Sequence, residues 1–231
     1  MTIFVLVPGS YVGSWAWRDV SKALWSAGNE VYTPSLTGMG ERVHLATPKV
    51  NLSTHIQDVV NEITYSDLRE VILVGCSYGG MVITGVAEKI PERIAQLVYL
   101  DAVVPEDGQS LADLIGSEAT NMIRQAVDAY GEGWKIMPNP PNTRLTPQPI
   151  QTGLEKLSVK NPLASRLPKV FIYCSEGKTL DNPVDVPIMR KAEKARSDPN
   201  WRYYEIAWGH AVALEQPELV AKVLLEIVNF K

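Results

Sequence analysis

Cysteine, histidine and phenylalanine are scarce in this chain: two, three and three of them among 231 residues. Cys76 and Cys174 each fall inside or at the end of a predicted strand, so they read as neither a disulfide framework nor a metal site. The histidines, His44, His55 and His210, show no metal-ligand spacing, and neither a metal nor any other cofactor is expected. A basic block is missing as well. With 21% charged residues and a net charge of −4, nothing supplies the electrostatic footprint of a nucleic-acid or anionic-membrane surface. Long apolar runs are absent: MTIFVLVPGS is apolar for about five residues before Pro8-Gly9 and has no basic region, against roughly 18 residues to cross a bilayer. The expectation is a cytoplasmic protein with a small-molecule partner, and a homodimer is left open.

What is there looks globular. At 45% hydrophobic, a single domain spanning residues 1–231 can bury about 70 to 75% of its unfolded surface. Short β-rich runs recur at 3–7, 30–32, 71–75, 97–100, 170–174 and 202–206. Helical patterns lie between them at 16–27, 53–63, 79–90 (stopped by Pro91), 188–196 and 217–228. Strands that are apolar nearly throughout are covered on both faces, which argues a doubly wound, mostly parallel α/β sheet built from βαβ units. The regularity breaks between Val104 and Pro168, where a helical segment at 110–130 precedes the proline-rich NPPNTRLTPQP. That stretch is too long for a plain loop and too rich in proline for a sheet core. It is expected to form a cap, at about 104–168, over the carboxyl ends of the strands, where open α/β sheets bind ligands.

The most informative segment is EVILVGCSYGGMVITG, in which a β-branched strand runs into Gly75-Cys76-Ser77-Tyr78-Gly79 and then into a helix. The pentapeptide fits G-x-S-x-G, which carries meaning when a serine is held up on a sharp strand-to-helix turn and glycines stand where side chains would collide. A serine hydroxyl is a poor nucleophile at neutral pH and needs a base to take its proton. His210 is the candidate, following the last strand in RYYEIAWGH and preceding the final helix. His44 and His55 lie in the polar segment after the second strand and read as surface or capping residues. Developing negative charge also needs two backbone N–H donors. Tyr78, at the positive end of the following helix, is one candidate, and Ser10 in the loop VPGSYVGSWAW is the other.

PGSYVGSWAW, LTGMGER, GCSYGG, LVYLDAVVPEDGQS and the terminal GH resemble the α/β-hydrolase superfamily, in particular its compact branch of plant methyl esterases, plant hydroxynitrile lyases and bacterial esterases. The resemblance spans nearly the whole chain and is weakest in the cap. It implies an α/β-hydrolase fold trimmed to about six strands, Ser77 and His210 as nucleophile and base, and Ser10 with Tyr78 as oxyanion-hole donors. Pro8 and Val12 stand where the family's first loop often carries histidines. The lyases use a threonine in that loop and a lysine after the histidine, where this chain has Gly9 and Ala211, so cyanide would lack its cationic partner. In the plant esterases the triad acid follows the next-to-last strand, but that position here is Gly177, with Glu176 one residue early and Asp181 four residues late. Asp101, ending the strand QLVYLDA, is the preferred acid. Haloalkane dehalogenases of similar fold place theirs at the matching strand end, and Asp101 keeps the chain order Ser, acid, His.

The expected activity is that of a carboxylesterase-type serine hydrolase cleaving small to medium apolar esters through an acyl-enzyme. Trp15, Trp17, Met81, Trp134 and Met137 are expected near the mouth or in the cap. Amides, carbamates or lactones would use the same machinery. A small-molecule receptor that keeps the fold as a pocket is the alternative of another class, and a hydroxynitrile lyase is disfavoured.

Overall fold

The computed structural model describes residues 1–138 and 144–229. In chain order the strands are β1 Ile3–Val7, β2 Glu30–Tyr32, β3 Val71–Cys76, β4 Ile94–Leu100, β5 Lys135–Ile136, β6 Gln148–Pro149, β7 Lys169–Cys174 and β8 Trp201–Ile206. The α-helices are α1 Arg18–Ser26, α2 Leu52–Tyr65, α3 Gly79–Lys89, α4 Leu111–Ile115, α5 Ser117–Tyr130, α6 Gln151–Leu154, α7 Pro162–Arg166, α8 Asp185–Ser197, α9 Val212–Glu215 and α10 Pro217–Asn229. Six strands form one parallel sheet in the order β2-β1-β3-β4-β7-β8.

Residue alternation along each strand feeds two cores. Val5, Val7, Leu73, Tyr99 and Phe171 pack on one face with Ile56 and Val59 of α2, Met81 and Val82 of α3 and Ile188 of α8. Phe4, Leu6, Val74, Val98 and Ile172 pack on the other with Leu24 of α1 and Leu224 of α10. The helices start and stop for local reasons. Asn51 closes a capping box with Thr54 at the head of α2, and Pro91 follows the end of α3.

Between β4 and β7 lies the region expected as a cap. The helix expected at 110–130 is two helices, because Gly116 adopts φ +91°, a left-handed turn that α4 cannot continue through. Among its described residues this region gives no strand to the parallel sheet; β5 and β6 pair antiparallel as a separate two-stranded ribbon. Residues 139–143, the start of NPPNTRLTPQP, lie outside the described residues. Thr146 ties this region to the loops after β1 and β2, its N–H donating to Tyr11 O at 2.9 Å and its Oγ1 accepting from Gly40 N at 2.9 Å. Among the described residues, no helix is long and apolar enough to cross a membrane.

Candidate active site

Three close approaches shape the turn from β3 into α3. A Cβ on Gly75 would sit 2.6 Å from Gly79 O, one on Gly79 2.8 Å from Val7 O and Pro8 O, and one on Gly80 2.0 Å from Val103 O. Any side chain at these positions would collide with backbone. Ser77 itself is non-glycine at φ +54°, a conformation costing about 1 to 3 kcal/mol that persists only where surroundings over-determine it. Those surroundings are its own backbone bonds: Ser77 N donates to Leu100 O at 3.3 Å, and Ser77 O accepts from Gly80 N at 3.1 Å and Val103 N at 3.2 Å.

His210 reaches the serine from three strands away, across β4 and β7. Its Nε2 lies 3.0 Å from Ser77 Oγ, and its Nδ1 lies 2.5 Å from Asp101 Oδ2. The loop carrying it is fastened to the loop after β7, where Ser175 N donates to Ile206 O and Glu176 N to Trp208 O, both at 3.0 Å. Trp208 Nε1 in turn donates to Glu215 of α9 at 2.7 Å. Asp101 sits at φ +46° at the end of β4, its N–H donating to Ile172 O at 2.7 Å and its Oδ1 accepting from Cys174 N at 3.2 Å. Ser77, His210 and Asp101 therefore form a continuous chain, while Glu176 and Asp181 are exposed on the surface.

Sequence reasoning missed two members of this neighbourhood. Lys178 Nζ donates to Asp101 Oδ2 and to Asp185 Oδ1, the latter at 3.2 Å, and all three side chains are buried. The signal available was Gly177, whose φ of +71° turns the loop after β7 so that the next residue enters the protein. Burial alone would raise the carboxyl of Asp101. The hydrogen bond and charge of His210, followed by the charge and hydrogen bond of Lys178, outweigh it and hold Asp101 below the usual carboxylate range. Lys178 shows the mirror image, burial lowering its ammonium and Asp101 and Asp185 raising it to a net upward shift. Burial pushes the Cys76 thiol up to about 12 and the Cys174 thiol upward too, so both are neutral beside the charged groups.

Tyr78 follows the serine directly, and Gly9, one residue before Ser10, brings the loop after β1 against it. A Cβ there would lie 3.0 Å from Ser77 Cβ, and the left-handed residue in that loop is Tyr11, at φ +67°. Neither the Ser10 nor the Tyr78 amide donates to a protein acceptor among the described residues. The loop is braced from outside by Glu41, whose carboxylate accepts from Ser14 N at 3.2 Å, Trp15 N at 3.1 Å and Ser35 Oγ at 2.6 Å.

Two sequence-based expectations are corrected. His55 is neither a surface nor a capping residue: it is fully buried, with Nδ1 2.9 Å from Tyr78 Oη and Nε2 2.8 Å from Thr37 O. Burial drives its pKa down to about 4. Trp17 and Met81 do not line the mouth, being core residues on opposite faces of the sheet. Trp15 instead lies under the Arg144 guanidinium, 3.9 Å from its ring centroid. Trp134 borders a hollow with Val43 and Pro147. Met137 shares with Tyr11, Met122, Ile123 and Val127 an apolar cleft of about 300 Å³ between α5 and the loop after β1. Among the described residues, no group of three or more histidine, cysteine or acidic side chains could hold a metal ion.

Residues 4–223 match the model of a family described as the alpha/beta hydrolase family. A carbendazim hydrolyzing esterase from a Nocardioides strain is 55% identical over 115 residues, which is 50% of this chain and 48% of that protein. A putative chloroplastic methylesterase 15 from Arabidopsis thaliana is 23% identical over 97% of this chain and 56% of its own length. The matched part is thus about half the length of each of these relatives. Among solved structures, an extracellular α/β-hydrolase from a Paenibacillus species superposes with a TM-score of 0.83 at 27% identity, covering 98% of both chains. A pyrethroid hydrolase from Sphingobium faniae superposes with a TM-score of 0.74 at 21% identity over 99% of this chain and 98% of its own, a likeness of fold alone.

Proposed function

The chain belongs to the alpha/beta hydrolase family, and from that premise we propose that it is a serine hydrolase cleaving small to medium apolar carboxylic esters through an acyl-enzyme. The observation that carries this is the unbroken contact line from Ser77 Oγ to His210 Nε2 at 3.0 Å and from His210 Nδ1 to Asp101 Oδ2 at 2.5 Å.

Ser77 Oγ attacks the ester carbonyl as His210 Nε2 takes its proton. The carbonyl oxygen gains negative charge, which the free N–H groups of Ser10 and Tyr78 stabilise. Asp101 holds the imidazole in the tautomer that leaves Nε2 free to accept, and steadies the imidazolium once formed. His210 then hands the proton to the departing alcohol. Water, deprotonated by the same histidine, attacks the acyl-serine and restores the free hydroxyl. The esterase and methylesterase names of the relatives support esters as substrates. The apolar cleft lined by Tyr11, the chain neighbour of Ser10, supports an apolar substrate.

The test is a panel of p-nitrophenyl, methyl and aryl esters, carbendazim, carbamates, lactones and amides, run on the wild type and Ser77→Ala. The expected outcome is turnover of short esters and a loss on the order of 10⁴ to 10⁶ in kcat in the variant. If folded Ser77→Ala keeps more than a few per cent of activity, Ser77 is not the nucleophile. Absence of turnover across the whole panel would favour a receptor of the same fold.

A further inference from the structure

Asp101 carries more than an orienting acid needs. A buried aspartate already bonded to the Cys174 amide could hold the imidazole unaided. Here a single oxygen, Oδ2, accepts from both His210 Nδ1 and Lys178 Nζ, and Lys178 is bonded in turn to Asp185 Oδ1 at 3.2 Å. Side-chain exposures of 0% for Asp101, 4% for Lys178 and 7% for Asp185 keep the three charges away from water. Burying two extra charges is costly, and a hydrophobic filler of similar volume is often no worse for stability. An arrangement this costly beside the proton acceptor calls for an effect on the proton.

We propose that Asp101, Lys178 and Asp185 work as one charge-balanced chain, in which Lys178 and Asp185 are positioning residues that set how firmly Asp101 holds the protonated His210. The proposal rests on His210 acting as the base for Ser77. The two charges beyond Asp101 pull in opposite directions. Lys178, on the same oxygen as the imidazole, offsets the carboxylate and weakens its grip on an imidazolium. Asp185 offsets Lys178 and restores a single net negative charge behind the histidine. Other titratable groups here do not supply this balance: Cys76 of β3 and Tyr173 and Cys174 of β7 are shifted upward and stay neutral, and Glu205 of β8 is exposed.

Opposite signs make the test. Profiles of kcat/KM against pH would be measured for the wild type, Lys178→Met, Asp185→Asn, the double variant and Lys178→Arg. In parallel, the His210 imidazole would be titrated by ¹⁵N NMR in each of these in a Ser77→Ala background, which needs no turnover. With the ammonium and the imidazole on one carboxylate oxygen at an effective dielectric near 20, Lys178→Met should move the midpoint up by about one pH unit or more. Asp185→Asn, farther away, should move it down by about half a unit. The double variant and Lys178→Arg should return to within about 0.3 unit of wild type, since each keeps the net charge. Folded single variants that both stay within about 0.3 unit of wild type, or shift in the same direction, overturn the proposal. If Lys178→Met does not fold, Asp185→Asn and the double variant decide by the same criterion. Should the NMR midpoints shift as stated while Ser77→Ala retains turnover, the ester mechanism fails and the charge chain stands.

Discussion

Two histidines stand on either side of the nucleophile turn, and they make opposite use of the same ring. His210 contacts Ser77, has a side chain 43% exposed, and leans on a buried carboxylate. His55 contacts Tyr78, the very next residue, is fully enclosed, and faces a phenol and a backbone carbonyl. What separates the two rings is thus the partner at the far nitrogen and access to water. His55 can hold Tyr78, and with it the amide beside the serine, because desolvation keeps it neutral and leaves one ring nitrogen to donate and the other to accept.

Exchanging the two roles is the severest test of that contrast. His210→Ala should lose about 10⁴-fold or more in kcat with little change in melting temperature. His55→Gln should keep turnover within about tenfold of wild type while losing about 1 to 3 kcal/mol in urea unfolding, since a buried hydroxyl and carbonyl lose good partners. If His55→Gln were as inactive as His210→Ala, the assignment of roles would be wrong. The carboxylate partner gives the next largest effect. Asp101→Asn should fall by at least about a hundredfold in kcat through loss of the orienting charge, whereas exposed Glu176→Gln should fall by less than tenfold. The reverse ranking would return the acid to the loop after β7.

The smallest effect sharpens the contrast without touching chemistry. A base whose pKa is lowered by folding contributes stability that is present above its unfolded value of about 6.5 and is lost as pH falls towards the folded value. For His55, folded at about 4, the wild type should lose on the order of 3 kcal/mol between those limits relative to His55→Gln. Urea midpoints measured across that range check it. Parallel curves for the two proteins would show that His55 titrates normally.

Strands and elbow were readable because their signals are local. Runs such as VILVG and KVFIYC are apolar and β-branched at the length of a buried strand, and Pro91 marks a helix end wherever it occurs. Asp101 could be found by its place at a strand end. Lys178 and Asp185 could not, because a lysine in a loop reads as solvated, and its burial depends on a partner 77 residues earlier in the chain. His55 escapes a local reading for a related reason: on α2 it follows a capping residue in a polar stretch, and its partners, Thr37 O and Tyr78 Oη, lie 18 and 23 residues away in the chain. The break at Gly116 carried a signal, a lone glycine inside a helical pattern, which was outweighed by the helix formers on both sides.

The order in which the sheet is strung along the chain has a temporal consequence. Ser77 and Asp101 come from adjacent strands and can meet early, but His210 lies 133 and 109 residues away from them, beyond β8 at the sheet's edge. On a ribosome, Ser77 and Asp101 would emerge 133 and 109 residues ahead of His210. Contacts of such sequence separation form late. The contact line from Ser77 through His210 to Asp101 is therefore completed in one final docking step.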